Sequence, residues 1–176
     1  PDISMEIFQG TYDDVVYWIK NGVVDVGFLS VSSAADIPIE PLYKDPLLCV
    51  VQKGQRTSKE PMSIDEMKNC QFVTQRESTD ADIQNFMKEN HLDVRSSYHV
   101  VDDLSTVVMV ANGFGICLMP EMVMKDIPYE VDCFPVKPDA CRIIGIAALN
   151  PDNMAPAVRT FYNRVLAMYQ QEDYVK

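Results

Sequence analysis

Gly113-Phe114-Gly115 is the one Gly-x-Gly in the chain, a spacing that can let backbone N–H groups close around a phosphate. That chemistry needs strand, then glycines, then helix, because a helix N-terminus must face the pyrophosphate. Here the order is reversed. Leu104, Val107, Val108 and Val110 recur at helical spacing before Gly113, and an apolar run, Ile116 to Met119, follows Gly115. A phosphate would meet a helix C-terminus, whose partial charge is negative. Gly113 therefore reads as the helix-ending residue at positive φ, and Gly115 as a close turn into a buried strand. The remaining reactive residues are sparse. The two histidines, His91 and His99, have no ligand spacing to the cysteines; His99 lies in an apolar strand pattern and reads as a core or interface residue, His91 as an exposed helix end. The five cysteines are odd in number and form no C-x-x-C. Cys49, Cys117 and Cys133 fall in apolar runs and read as reduced, buried thiols of a cytoplasmic protein. No G-x-S-x-G, P-loop or H-E-x-x-H occurs, and the acid pairs Asp13-Asp14 and Asp102-Asp103 suit helix starts better than catalysis. No cofactor and no metal is expected.

The elements that hold these residues alternate along the chain. "ISMEIFQG" (3–10) reads as a strand ending in a turn. Thr11 caps a helix carrying Val15, Val16, Trp18 and Ile19, and Asn21-Gly22 closes it. "VVDVGFLS" (23–30) is a second strand, so the opening reads as a βαβ unit of a parallel sheet. Residues 39–54 give two strand-like runs broken at Asp45-Pro46. Ser63-x-x-Glu66 is a capping box for a helix over 63–69. Strand 70–75 leads to Ser78 or Thr79, either of which caps a helix reaching about Asn90. Strand 97–101, a helix capped by Asp102 or Asp103, strand 115–118 and a short helix started by Pro120 follow. Strands 129–136 and 142–150 precede a last helix, 154–171, with an apolar stripe from Val158 to Tyr169. This is an α/β chain.

Fifteen Lys and Arg against 26 Asp and Glu give a net charge of −11 over 176 residues. Such a field repels DNA, whose binding depends on cations displacing counterions from phosphates. No apolar run approaches the length of a membrane span, and no export signal opens the chain.

The order of motifs resembles the effector-binding domain of LysR-type transcriptional regulators. "VVMVANGFGICLMPEMV" (107–123) is similar to that family's helix, glycine pair and short strand ending in Leu-Pro or Met-Pro. "PDISMEIFQGTYDDVVYWIKNGVVDVGFLS" resembles its strand–Gly-Ser/Thr–helix–Gly unit. "PLLCVVQKG" resembles the strand crossing out of the first lobe, and "APAVRTFYNRVLAMY" the closing helix. The resemblance implies an α/β fold of two Rossmann-like lobes joined by two crossover strands, like a periplasmic-binding-protein type 2 domain. Lobe one would be 1–48 plus 144–176 and lobe two 49–143, with crossings near Leu48 and Ile143. It also implies that a first strand and helix, and a winged helix-turn-helix that binds DNA, precede Pro1.

Small molecules bind in the cleft of such folds, at the carboxyl ends of strands beside free helix N–H groups. Together with the positions the resemblance marks, this nominates Thr11, Ser30, Gln75, Ser78, Thr79, Asp102, Met119 and Pro120 as ligand contacts. Several would also serve as plain helix caps or packing residues. Asp13, Asp14, Glu77, Asp80 and Asp82 already compensate the nearby dipoles, with Arg76 the one nearby cation, so the expected effector is a small polar metabolite. The implied partners are that effector and a second copy: a dimer, or a tetramer of the full-length protein, pairing through strand 3–8 and helix 103–112. DNA would be bound only through the preceding domain, and the membrane not at all. Two other classes stay open: an extracytoplasmic solute-binding protein of similar fold, and a small α/β enzyme.

Overall fold

A computed structural model describes residues 4–75, 81–92, 98–100 and 102–170. In chain order the elements are α1 (Tyr12–Lys20), β1 (Gly27–Ser30), a 3-10 turn (Val31–Ser33), β2 (Ile39–Gln52), β3 (Met62–Ser63) and α2 (Ile64–Lys68). Then come β4 (Val73–Gln75), α3 (Ala81–Glu89), β5 (Tyr98–Val100), α4 (Asp103–Ala111), β6 (Cys117–Pro120) and α5 (Glu121–Met124). β7 (Val131–Lys137), β8 (Cys141–Ala147) and α6 (Pro156–Gln170) complete the described chain. The chain divides into two compact units, residues 1–44 with 143–176, and residues 45–142. Strands β2 and β8 carry it from one unit to the other.

In the first unit, β1 pairs antiparallel with β8, Gly27 opposite Ala147 and Ser30 opposite Ile144. Helix α1 lays Val15 and Ile19 on Leu29 and Ala147, while α6 covers Leu42 and Ile146 with Phe161, Tyr162, Val165 and Leu166. Neighbours 146 and 147 face opposite sides, as the two-residue strand period requires. The strand expected over 3–8 does not form in its described part. A strand needs a ladder partner for its N–H and C=O groups, and none pairs with residues 4–10 among the described residues. Met5 and Ile7 are 61% and 86% exposed, and Phe8 leans on the Trp18 ring at 5.8 Å instead. The expected βαβ opening is therefore absent here. Strand β1 also starts later than expected, because the Val23 and Val24 amides turn back to the Trp18 carbonyl and close α1.

The second unit is built on the far half of β2, which pairs antiparallel with both β6 and β7; β3 adds parallel to β7, and β4 pairs parallel with β5. Alternation splits the apolar residues between two cores. Leu47, Cys49, Val51, Phe72, Ile116 and Leu118 pack with α2 and α3. Val50, Val73, Cys117 and Met119 pack with Val107 and Val110 of α4. The same alternation overturns the burial expected of Cys133 and the core half of the core-or-interface reading of His99. Cys133 is exposed, because β7 turns Phe134 and Val136 inward. His99 is also exposed, since Tyr98 and Val100 take the buried face of β5; its Nδ1 lies 3.2 Å from the Thr74 hydroxyl.

The expected break at Asp45-Pro46 is absent: β2 runs through it. Pro46 sits at an exposed position, and Asp45 finds its partners inside the unit.

Candidate ligand-binding site

Thr11 is the N-cap of α1. Its hydroxyl accepts from the Asp14 N–H at 3.2 Å and donates to Asp14 Oδ2 at 2.7 Å, and its own N–H donates to that oxygen at 2.9 Å. These bonds hold the Asp14 carboxyl below its ordinary range. The capping box is thus closed upon itself, and the helix start carries a fixed negative charge. Ser30 ends β1 in the same unit. It is fully buried, its hydroxyl 3.0 Å from that of Ser32 in the following 3-10 turn.

In the second unit the carboxyl ends of β4 and β5 lie side by side, Gln75 opposite Val100. Two residues on, Asp102 caps α4. Its Oδ1 accepts from the Ser105 N–H at 2.8 Å, and its carbonyl accepts from the Thr106 hydroxyl at 2.8 Å. The Ser105 N–H bond holds the Asp102 carboxyl below its ordinary range. Ser78 and Thr79 lie outside the described residues, as do Arg76, Glu77 and Asp80. Met119 and Pro120 end β6 opposite Leu48 and Leu47. Both are buried, Met119 among Val50, Val73, Val107 and Val110, and Pro120 is the N-cap of α5. Gln75, Asp102 and the Met119–Pro120 turn thus share one unit, and Thr11 and Ser30 the other.

Gly113 and Gly115 belong to the opposite end of these strands. Gly113 has φ +81° and its amide donates to the Val110 carbonyl at 2.9 Å, which ends α4. Gly115 has φ +145°, and a Cβ there would strike the Gln71 carbonyl group, its carbon 2.9 Å away. The close approach lets Ile116 N–H donate to Gln71 O at 2.8 Å and Val73 N–H to Ile116 O at 2.9 Å. A hollow of about 420 Å³ lies at that end, edged by Gln55, Asn69, Gln71, Tyr98 and Phe114. It collects helix C-termini, not the N–H groups an anion needs.

One pair escaped the sequence reading. Asp45 is fully buried, with Oδ1 accepting from the Met122 N–H and Oδ2 from Arg142 Nε, each at 2.9 Å. An aspartate inside "LYKDPLLCVV" and an arginine opening "RIIGIA" were the available signal: charges in apolar strands are rarely buried unpaired.

Two α/β units exchange the chain through two strands, with Thr11 and Ser30 in the first unit and Gln75 and Asp102 in the second. Residues 1–170 match the family described as LysR substrate binding domain, and the chain belongs to that family. It is 23% identical over 163 residues to the probable HTH-type transcriptional regulator LrrA of Synechococcus elongatus, covering 92% of this chain and 55% of that protein. The chain thus spans little more than half the length of the curated relatives it matches, 55% and 56%. Among solved structures it resembles the effector binding domain of QuiR in complex with shikimate, with TM-score 0.80 and 22% identity over 94% of this chain and 81% of that one. It also resembles the Synechocystis PCC6803 CcmR regulatory domain in complex with 2-PG, with TM-score 0.81 and 15% identity over 92% of this chain and 81% of that one. These likenesses establish the fold, that of LysR effector-binding domains, which is periplasmic-binding-protein type 2-like. Among the described residues no helix is long and apolar enough to cross a membrane.

Proposed function

We propose that the chain is the ligand-sensing part of a bacterial transcription regulator, with no catalytic role of its own, working in the cytoplasm. It binds a small polar metabolite through Thr11, Ser30, Gln75, Ser78, Thr79, Asp102 and the Met119–Pro120 turn. The observation that carries this reading is the family match over residues 1–170 of 176. It is supported by two relatives named as HTH-type transcriptional regulators and by structural neighbours solved with shikimate and with 2-PG. Ligand binding biases the geometry of a dimer, and that geometry sets how DNA-binding heads carried elsewhere in the protein are spaced. The acidic chain is suited to sensing and not to touching DNA itself. Asp14 and Asp102, each ionised and fixed at a helix start, favour hydroxyl and amide groups over a dianion.

The test is thermal unfolding of this chain against a panel of small polar metabolites that includes shikimate and 2-PG. A ligand at about a hundred times its Kd adds about 2.7 kcal/mol to stability, a readily seen shift in midpoint. Thr11→Ala, Ser30→Ala and Asp102→Ala should each weaken the response while leaving the ligand-free fold. A ligand whose response survives all three substitutions refutes the assignment. Turnover of the ligand refutes the non-catalytic reading.

A further inference from the structure

Asp45 is the first residue of the second unit and Arg142 the last. Between them they join three stretches of chain. Asp45 lies in β2 where the chain enters the unit, and Arg142 in β8 where it leaves. The third stretch is the start of α5, whose Met122 N–H donates to Asp45 Oδ1 at 2.9 Å. Immediately before α5 stands the Met119–Pro120 turn, held on β2 opposite Leu48 and Leu47. Arg142 Nε donates to Asp45 Oδ2 at 2.9 Å, its side chain 12% exposed and that of Asp45 0%. Beside the pair, the Leu47 N–H donates to the Ala140 carbonyl at 2.8 Å. A buried carboxylate is tolerated only when both oxygens are occupied, and the two donors available here come from different segments. The carboxylate therefore fixes the turn and the exit strand relative to one another.

We propose that Asp45 and Arg142 are positioning residues for the ligand response: the clamp transmits a displacement of the Met119–Pro120 turn to the strands by which the chain enters and leaves the second unit. This rests on the reading of that turn as a ligand contact. The hydrogen bonds, more than the charge, do the positioning. A glutamine in place of Arg142 would set its carboxamide where Nε now lies, so the neutral pair made by Asp45→Asn together with Arg142→Gln can reproduce the link.

Nuclear magnetic resonance on the whole chain tests this. Asp45→Asn turns an amide donor toward Arg142 Nε–H. With one acceptor oxygen left for two donors, the side chain is pushed from its place, which should speed exchange of the Met122 amide roughly ten- to a hundredfold, with β7 amides such as that of Phe134 far less affected. The double substitution Asp45→Asn with Arg142→Gln should restore the Met122 protection. Pro120→Ala, a ligand-free displacement of the turn, should move the Arg142 Nε–H resonance when Asp45 is present and leave it unmoved in the Asp45→Asn background. Should Asp45→Asn not fold, Arg142→Met alone, which offers Asp45 Oδ2 no donor, should keep Met122 protected while the amides of 142–144 exchange faster. Unchanged Met122 exchange, equal acceleration throughout β7, or a Pro120→Ala effect reaching Arg142 without Asp45 overturns the proposal. The ligand reading is tested separately: if a metabolite that raises the unfolding midpoint moves no resonance in 117–124, that reading fails while the clamp can still stand.

Discussion

Replacing Gly115 by alanine should damage the second unit far more than the same change at Gly113, two residues away. At Gly113 a Cβ meets only the Gln52 carboxamide, at 3.1 Å, the far end of a side chain that can move. The cost there is that of an L-residue at φ +81°, about 1 kcal/mol. At Gly115 the Cβ meets the backbone carbonyl of Gln71, and φ is +145°. Strained backbone of that kind costs about 1–3 kcal/mol. Relieving the overlap must also lengthen the Ile116 N–H to Gln71 O bond, now 2.8 Å, worth about 1 kcal/mol. The smaller entropy of the unfolded alanine chain returns about 0.5 kcal/mol. The balance is a loss of about 1.5–3.5 kcal/mol, and with a urea slope near 1.5 kcal/mol/M it moves the midpoint by about 1–2 M. Gly113→Ala should move it by less than about 1 M. The assay is urea unfolding followed by far-ultraviolet circular dichroism on both variants and the parent. Equal midpoints for the two variants would refute the argument, because the close approach of residues 115–116 to Gln71 would then not depend on a missing side chain.

Three further outcomes are expected. Glu66 should titrate at about 2, held there first by the Ser63 N–H, then by Arg56 and the Ser63 hydroxyl. A depressed carboxylate contributes stability above its unfolded value of about 4.5 and loses it as pH falls through about 2, so Glu66→Gln should flatten that part of the acid limb in a pH–stability series. Native-state alkylation at neutral pH should spare Cys49, pushed up to about 12 by burial, and Cys117, also raised by burial, while the exposed Cys133, though itself raised, is labelled, as read by mass spectrometry. Leu29→Ala, at a fully buried position beneath α1, should cost about 3 kcal/mol, read by the fluorescence of Trp18, the chain's one tryptophan.

Local chemistry was legible where one short segment decides the outcome. Thr11, Ser63 and Asp102 cap α1, α2 and α4 as their side chains and spacings indicate. Gly113 stops α4 because its conformation follows from neighbours along the chain. What sequence patterns could not supply was pairing. Residues 4–10 alternate like a strand but lack a described partner, and alternation alone makes no ladder. Asp45-Pro46 carries a turn signature, yet partners 77 and 97 positions away let the strand continue through it. Cys133 and His99 sat in apolar stretches whose two faces could not be told apart until the register was known. Of the proposed ligand positions, Thr11 and Asp102 were visible as helix starts, whereas the full burial of Ser30 and Met119 depends on residues distant in sequence.

The asparagines that finish the helices carry a consequence in time. Asn21 and Asn112 each donate a side-chain N–H to the carbonyl four residues back, at 2.8 Å, and each precedes a glycine. Asn-Gly is the dipeptide most open to succinimide formation, since glycine leaves its own amide nitrogen unshielded. Slow deamidation at either place would set an anionic oxygen against a carbonyl, at the dipole end that already repels it. An ageing preparation should therefore drift to a still lower isoelectric point as α1 and α4 unravel from their last turns.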